Sequence, residues 1–138
     1  MSTSLQPLAT GYRTAQFYAH MAHNTTYGKT FYQDHEAFGD LYEAYESAYD
    51  GLVERMIGLG QEVNIPEITK DAADALAAGK AGDCETLFRV LVAAEKEIRG
   101  LIDQLIEGQS QGTTNFLQGL ADESEQRSYK LQQRVKNG

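Results

Sequence analysis

Residues 23–55, HNTTYGKTFYQDHEAFGDLYEAYESAYDGLVER, decide how this chain folds. The stretch holds two histidines, His23 and His35, on either side of a short turn, and it ends with two acids, Asp50 and Glu54. Residues four apart on a helix lie one above the other on the same face, so the two carboxylates can act together. If the chain reverses at the turn, the two imidazoles face each other. The four side chains are therefore candidates for one metal site.

The spacing within this stretch limits how such a site can form. His35 and Asp50 are predicted to share one long helix, and fifteen helical residues rise about 22 Å. One metal ion cannot therefore bind both residues of the same chain. Either the histidines and the acids serve separate purposes, or two copies of the helix lie antiparallel across a two-fold axis. In the second case the histidine end of one copy meets the acidic end of the other, and two identical sites result.

The pattern H-x4-G-x6-H followed by D-x3-E-R resembles the Dps-type mini-ferritins of the ferritin-like superfamily. The matching residues are His23, Gly28, Phe31, His35, Asp50, Glu54 and Arg55. The resemblance implies a single ferritin-like domain over residues 1–138. It also implies a ferroxidase centre in which two histidines of one subunit and the Asp/Glu pair of its neighbour bind Fe(II). Oxidation by peroxide or oxygen, storage of ferric iron in a dodecameric shell and protection against oxidative damage follow from the same resemblance.

The sequence departs from the family pattern at two positions. Gly39 stands where the family usually has an acid four residues after the second histidine, and Asn24 stands where it usually has a tryptophan. These departures favour an alternative hypothesis. In that reading, the chain is a catalytically lapsed ferritin-like bundle that acts as a structural or interaction protein.

Apolar residues at spacings of three and four predict an all-α protein, a ferritin-like four-helix bundle. The four predicted helices span residues 8–27, 31–59, 83–108 and 115–136. Gly28 is expected to cap the first helix, and the expected N-caps of the others are Thr30, Asp83, and Thr113 or Thr114. The connection between the second and third helices is far longer than a hairpin needs. Its helical pattern, in residues 65–82, predicts a long crossover containing a short helix between parallel second and third helices.

A ligand set of imidazoles and carboxylates suits iron, manganese or zinc. Histidine must be neutral to bind a metal ion, so we expect affinity to fall as the pH drops through about 6.5. Glu36 and Asp40 lie near His35 and are four residues apart, so they could bind cations together. The resemblance implies that such acids help to nucleate ferric mineral on the inner surface of the shell. A plain solvated acidic face is the other interpretation.

The overall charge narrows the choice of partners. The formal net charge of −8 argues against binding to nucleic acid, which requires Lys and Arg to neutralise phosphates. The N-terminal segment MSTSLQPLAT contains no lysine or arginine, so we expect DNA binding to be weak or absent. The C-terminal cations fit a helix end, with a weak anionic partner as the alternative. They are Arg127, Lys130, Arg134 and Lys136.

The remaining composition indicates the compartment. Cys84 is the only cysteine, so no intrachain disulfide can form. Neither a signal peptide nor an apolar run of the roughly 18–20 residues needed to cross a membrane is visible. We therefore expect a cytoplasmic protein without a membrane segment. The homo-oligomer is what the two-fold pairing and the resemblance to mini-ferritins imply.

Overall fold

The computed structural model describes residues 3–79 and 81–136, and all regular secondary structure within them is helical. The all-α prediction is confirmed. The described residues form five helices: α1 (Gln6–Thr25), α2 (Phe31–Gly58), α3 (Ile65–Ala78), α4 (Cys84–Leu105) and α5 (Gln111–Val135). None of these helices is long and apolar enough to cross a membrane.

The turn between α1 and α2 differs in detail from the prediction. The first helix ends at Thr25, and the residue after it is already extended, so Gly28 does not cap the helix. Gly28 instead forms the turn itself, with a φ of 107° that side-chain-bearing residues rarely adopt. Thr30 does not cap α2 through its side chain. Its hydroxyl donates to the carboxylate of Asp34 at 2.5 Å.

The connector between α2 and α4 contains the fourteen-residue helix α3. Its N-cap is Asn64, whose side chain accepts a hydrogen bond from the backbone N–H of Glu67 at 3.0 Å. Two apolar side chains, Ile68 and Ala72, are fully buried. The helix packs against α1.

The two C-terminal helices begin at polar caps. Asp83 accepts from the backbone N–H of Thr86 at 2.9 Å, so the predicted cap of α4 is correct. The predicted start of α5 is wrong. Ser110 accepts from the N–H of Thr113 at 3.2 Å and starts the helix at Gln111, four residues before the expected position.

The core forms where the helices meet. α1 packs against α2, α3 and α4, and α4 packs against α5. Phe38 of α2 and Phe88 of α4 stack with ring centroids 4.2 Å apart. Each large apolar side chain buried in this way stabilises the fold by about 1.5–3 kcal/mol. The α1–α2 hairpin is therefore packed against α3 and α4, and the turn between His23 and His35, called the histidine turn below, lies at the end of this hairpin.

Candidate metal centre

Two imidazoles from the α1–α2 hairpin stack face to face. His23 lies in the last turn of α1, and His35 lies near the start of α2. Their ring centroids are 3.8 Å apart and their planes differ by 19°. The Nδ1 atom of His23 is 2.7 Å from the carbonyl oxygen of His35, and the Nδ1 atom of His35 is 2.8 Å from the carbonyl oxygen of His23. The histidines predicted to meet across the turn are thus brought together, each held by the backbone of the other.

These reciprocal hydrogen bonds fix the tautomer of both rings. A carbonyl oxygen can only accept, so each Nδ1 must carry the proton. The Nε2 atom of each neutral ring then keeps a lone pair that can bind a metal ion. Histidines that ligate metals commonly donate their other nitrogen to a backbone carbonyl in this way. The carbonyl oxygen of His23 lies in the last turn of α1 and therefore has no hydrogen-bond donor within that helix. The hydrogen bond from Nδ1 of His35 supplies the missing donor.

Aromatic side chains surround the pair. The ring of Phe31 stacks on His35 at 4.9 Å, and Tyr42 meets His23 edge-on at 5.4 Å. The exposed ring of His20 stacks on Tyr42 at 4.3 Å and lies 6.3 Å from the ring of His23. These contacts limit the orientations that the two imidazoles can adopt.

The two predicted acidic ligands lie elsewhere in the same chain. Asp50 and Glu54 are exposed on α2, and fifteen residues of that helix separate Asp50 from His35 by about 22 Å. Within the described residues, no three or more His, Cys, Asp or Glu side chains lie close enough together to hold a metal ion. One chain therefore supplies two imidazoles and, far from them, two carboxylates.

The other two predicted acids also lie apart from the imidazole pair. Glu36 is exposed to solvent. Asp40 lines a groove of about 500 Å³ between α2 and α5, together with Lys130 of α5. Neither joins the imidazoles in a single-chain metal cluster.

A second polar cluster, which we did not predict from the sequence, lies in the middle of the helices. Glu95 of α4 is fully buried. Its carboxylate accepts from Arg127 Nε at 2.6 Å and Nη2 at 3.2 Å, from Tyr45 at 2.6 Å and from Ser124 at 2.7 Å. A signal was present in the sequence, because Glu95 interrupts the apolar stripe of α4 between Leu91 and Ile98.

The charges in this central cluster compensate one another. Burial disfavours the charged form of Arg127, but the hydrogen bonds and negative charge of Glu95 outweigh burial and raise the pKa of Arg127. Burial, followed by the nearby charge of Glu95, raises the pKa of Tyr45 well above its ordinary value. The cluster thus consists of an ion pair and a neutral phenol.

The central cluster does not fit a metal centre. Bundles that hold two metal ions in the core supply a Glu from each of two helices and a Glu-x-x-His motif from each of the other two. Here the centre has one carboxylate, Glu95, and the guanidinium of Arg127 already occupies its oxygens. The imidazole pair is the better candidate because, among the residues that the structure describes, its hydrogen bonds use only the Nδ1 atoms.

Comparison with known proteins places the chain in a family. No curated protein sequence matches it significantly. The family model for ferritins, described as a ferritin-like domain, matches residues 6–138, which is nearly the whole chain. That family generally binds iron. The helical architecture and the extent of this match show that the chain belongs to the ferritin-like family.

Proposed function

We propose that this protein is a Dps-type mini-ferritin that binds Fe(II) between subunits, oxidises it with peroxide or oxygen and stores the ferric product in a shell. The proposed site takes His23 and His35 from one chain and Asp50 and Glu54 from its partner. α1, α2, α4 and α5 form the four-helix bundle of a single domain, and α3 belongs to the crossover. The shell is cytoplasmic and protects against oxidative damage.

The observation that carries this proposal is the state of the two imidazoles. His23 and His35 each donate Nδ1–H to a carbonyl at 2.7 and 2.8 Å, so their Nε2 lone pairs remain for a ligand. Two nitrogen ligands cannot hold and neutralise Fe(III) on their own. Two carboxylates from a second chain supply the missing ligands and negative charge, and they leave a coordination position open for the oxidant.

The exposed face of α2 supports an antiparallel partner. Tyr32, Asp50 and Ile57 share one stripe of the helix because they are separated by about five and two turns. Tyr32 and Ile57 are 84% and 62% exposed, at opposite ends of α2. A second copy related by a two-fold axis covers the aromatic end of one helix with the aliphatic end of the other. The same rotation brings the imidazoles to the acids.

The side chains have separate roles in this site. His23 and His35 hold Fe(II) through Nε2 and remain fixed through Nδ1. The partner's acids compensate the charge that builds up as Fe(II) becomes Fe(III). Glu36 and Asp40 offer carboxylates to ferric ions as they leave the site. Manganese or zinc would suit the same ligands.

The sharing of the site between two chains can be tested by complementation. One variant, His23→Ala/His35→Ala, lacks the imidazoles, and another, Asp50→Asn/Glu54→Gln, lacks the acids. Neither variant alone has a complete site. In a mixed dimer, one of the two sites has all four ligands, so random co-assembly restores about a quarter of the sites.

The measurement is the initial rate of Fe(II) oxidation by co-expressed variants, relative to each variant alone and to buffer. We expect both separate variants to be near the buffer rate and the mixture to be well above it. A mixture no faster than its components would show that the chains do not share the site. The particle mass of the wild type tests the shell, because the proposed shell is a dodecamer and the alternative function needs only a monomer or dimer.

The alternative is a ferritin-like bundle without iron chemistry that acts as a structural or interaction protein. It is favoured by Asn24 and Gly39, which stand where the mini-ferritins usually have a tryptophan and an acid. A monomer or dimer that oxidises Fe(II) no faster than buffer would support it. The formal net charge of −8 makes DNA binding weak or absent in both cases.

A further inference from the structure

Gly39 lies directly beside the ring of His23. A Cβ atom placed on Gly39 would be 3.1 Å from both Cε1 and Nδ1 of that ring. Nonbonded carbon atoms normally remain about 3.5–4.0 Å apart. The other two glycines of α2 differ, because a Cβ on Gly51 would lie 3.5 Å from Phe116 and one on Gly58 would meet nothing within 4 Å.

Helix geometry explains why the close approach occurs at this position. His23 donates to the carbonyl oxygen of His35, which lies four residues before Gly39. Each Cα–Cβ bond of an α-helix tilts toward its N-terminus, so a side chain covers the turn that precedes it. A side chain at position 39 would therefore stand over the path by which His23 reaches that carbonyl.

We propose that Gly39 is a positioning residue: it admits the His23 ring to the surface of α2 and so permits both the hydrogen bond to His35 and the imidazole stack. This role rests on the proposed function. Position 39, which is usually acidic in mini-ferritins, would serve in this chain to make room for a ligand and not to bind metal. The imidazole of His23 occupies the space that a side chain at position 39 would fill. Position 39 is therefore not a metal-ligand position that has merely lost its acid. Restoring an acid there displaces a ligand.

The contacts of His23 leave little room for adjustment. Its ring stacks on His35 at 3.8 Å, touches Tyr42 at 5.4 Å and donates to a carbonyl at 2.7 Å. A methyl group at position 39 forces the ring to move away from α2. That movement lengthens the hydrogen bond and tilts the stack, because both depend on the same ring.

The first experiment is a thermal-unfolding cycle on metal-free protein. Gly39→Ala and the control Gly51→Ala gain the same helix propensity. We expect Gly39→Ala to lower Tm in the wild type and to raise it in a His23→Ala background, where the obstructing ring is gone. Gly51→Ala should shift Tm equally in both backgrounds. Equal shifts for Gly39→Ala in the two backgrounds would overturn the proposal.

The second experiment measures Zn²⁺ affinity by competition with a chelating dye. We expect Gly39→Asp to weaken binding by at least about 10-fold, as loss of an orienting contact does at other metal sites, and Gly51→Ala to leave it unchanged. Unchanged or tighter binding by Gly39→Asp would overturn the proposal. This arm rests on the proposed function. If the wild type binds no Zn²⁺, the proposed metal site fails, whereas the Tm cycle still decides the role of Gly39.

Discussion

Two regions of the molecule bring ionisable side chains into contact, and they use them in opposite ways. In the central cluster, both oxygens of the Glu95 carboxylate accept from protein donors, among them Arg127 and Tyr45. At the histidine turn, His23 and His35 each use one nitrogen to hold the other chain segment and keep the second nitrogen free. This contrast is why we place the proposed metal site at the two histidines. A polar group that is fully satisfied internally stabilises the fold, whereas a group fixed at only one end is prepared for binding.

The largest expected effect comes from the central cluster. Glu95→Ala leaves Arg127 and Tyr45 buried without their acceptor, and breaking a buried ion pair in this way costs about 3–5 kcal/mol of unfolding free energy. Urea denaturation of metal-free protein measures the loss. The exposed pair Glu85–Arg89 is the control, because Glu85→Ala should cost about 0–1 kcal/mol. If Glu95→Ala and Glu85→Ala lowered the free energy of unfolding by similar amounts, the central cluster would not be a main source of stability.

The next effect concerns the histidine turn. His35→Ala removes one free nitrogen and the hydrogen bond that orients the other ring, so Zn²⁺ affinity and the rate of Fe(II) oxidation should each fall at least about 10-fold. His20→Ala is the matched control, because His20 is exposed and stacks on Tyr42, while its ring centroid lies 6.3 Å from that of His23. Competition with a dye and initial oxidation rates give the two values. Equal effects of the two substitutions would remove His35 from the proposed site.

The smallest expected effect concerns Asp34, a charged residue near the histidine turn that we expect to stabilise the fold and not to bind metal. Asp34 adjoins His35 in sequence, but its buried carboxylate pairs with Arg134 of α5 at 3.0 and 3.2 Å. Burial disfavours the charged carboxylate, but the hydrogen bonds from Arg134 and Thr30 outweigh it and lower the pKa of Asp34 below its ordinary value of 3.8. The pair is therefore structural, like the central cluster.

The sign of the pH dependence follows from that lowered pKa. The stabilisation is fully present above pH 3.8 and is lost as the pH falls from there through the lower folded-state pKa. Asp34→Asn should cost about 1–2 kcal/mol at neutral pH, and the difference from the wild type should shrink below pH 3.8. Urea denaturation from neutral pH to about pH 2 measures both. A difference that stays constant over this range would mean that the carboxylate's charge contributes nothing.

Much of the helical structure was predictable because it follows local rules. The apolar spacing of α2 predicted residues 31–59, and the helix spans Phe31–Gly58. The same reasoning placed the start of α5 too late, because Ser110, Thr113 and Thr114 are all good N-caps. Only the tertiary structure decides which hydroxyl is used, and Ser110 accepts the hydrogen bond.

The sites were predictable only in part. The spacing of His23 and His35 about a turn was sufficient to predict that they meet. It could not predict that each would bind the other's carbonyl, because that depends on the space at Gly39. Glu95 was overlooked because Ala94 also continues the apolar stripe, and only the structure shows which of the two faces inward.

The Arg127–Glu95 pair has one further consequence. The positive charge that balances the carboxylate of Glu95 comes from Arg127 of the same chain. It is present as soon as the chain folds and does not depend on a bound metal ion. Chelators should accordingly leave the helices intact. The chain should therefore remain folded while no metal ion is bound, and thermal unfolding with and without a chelator would measure this.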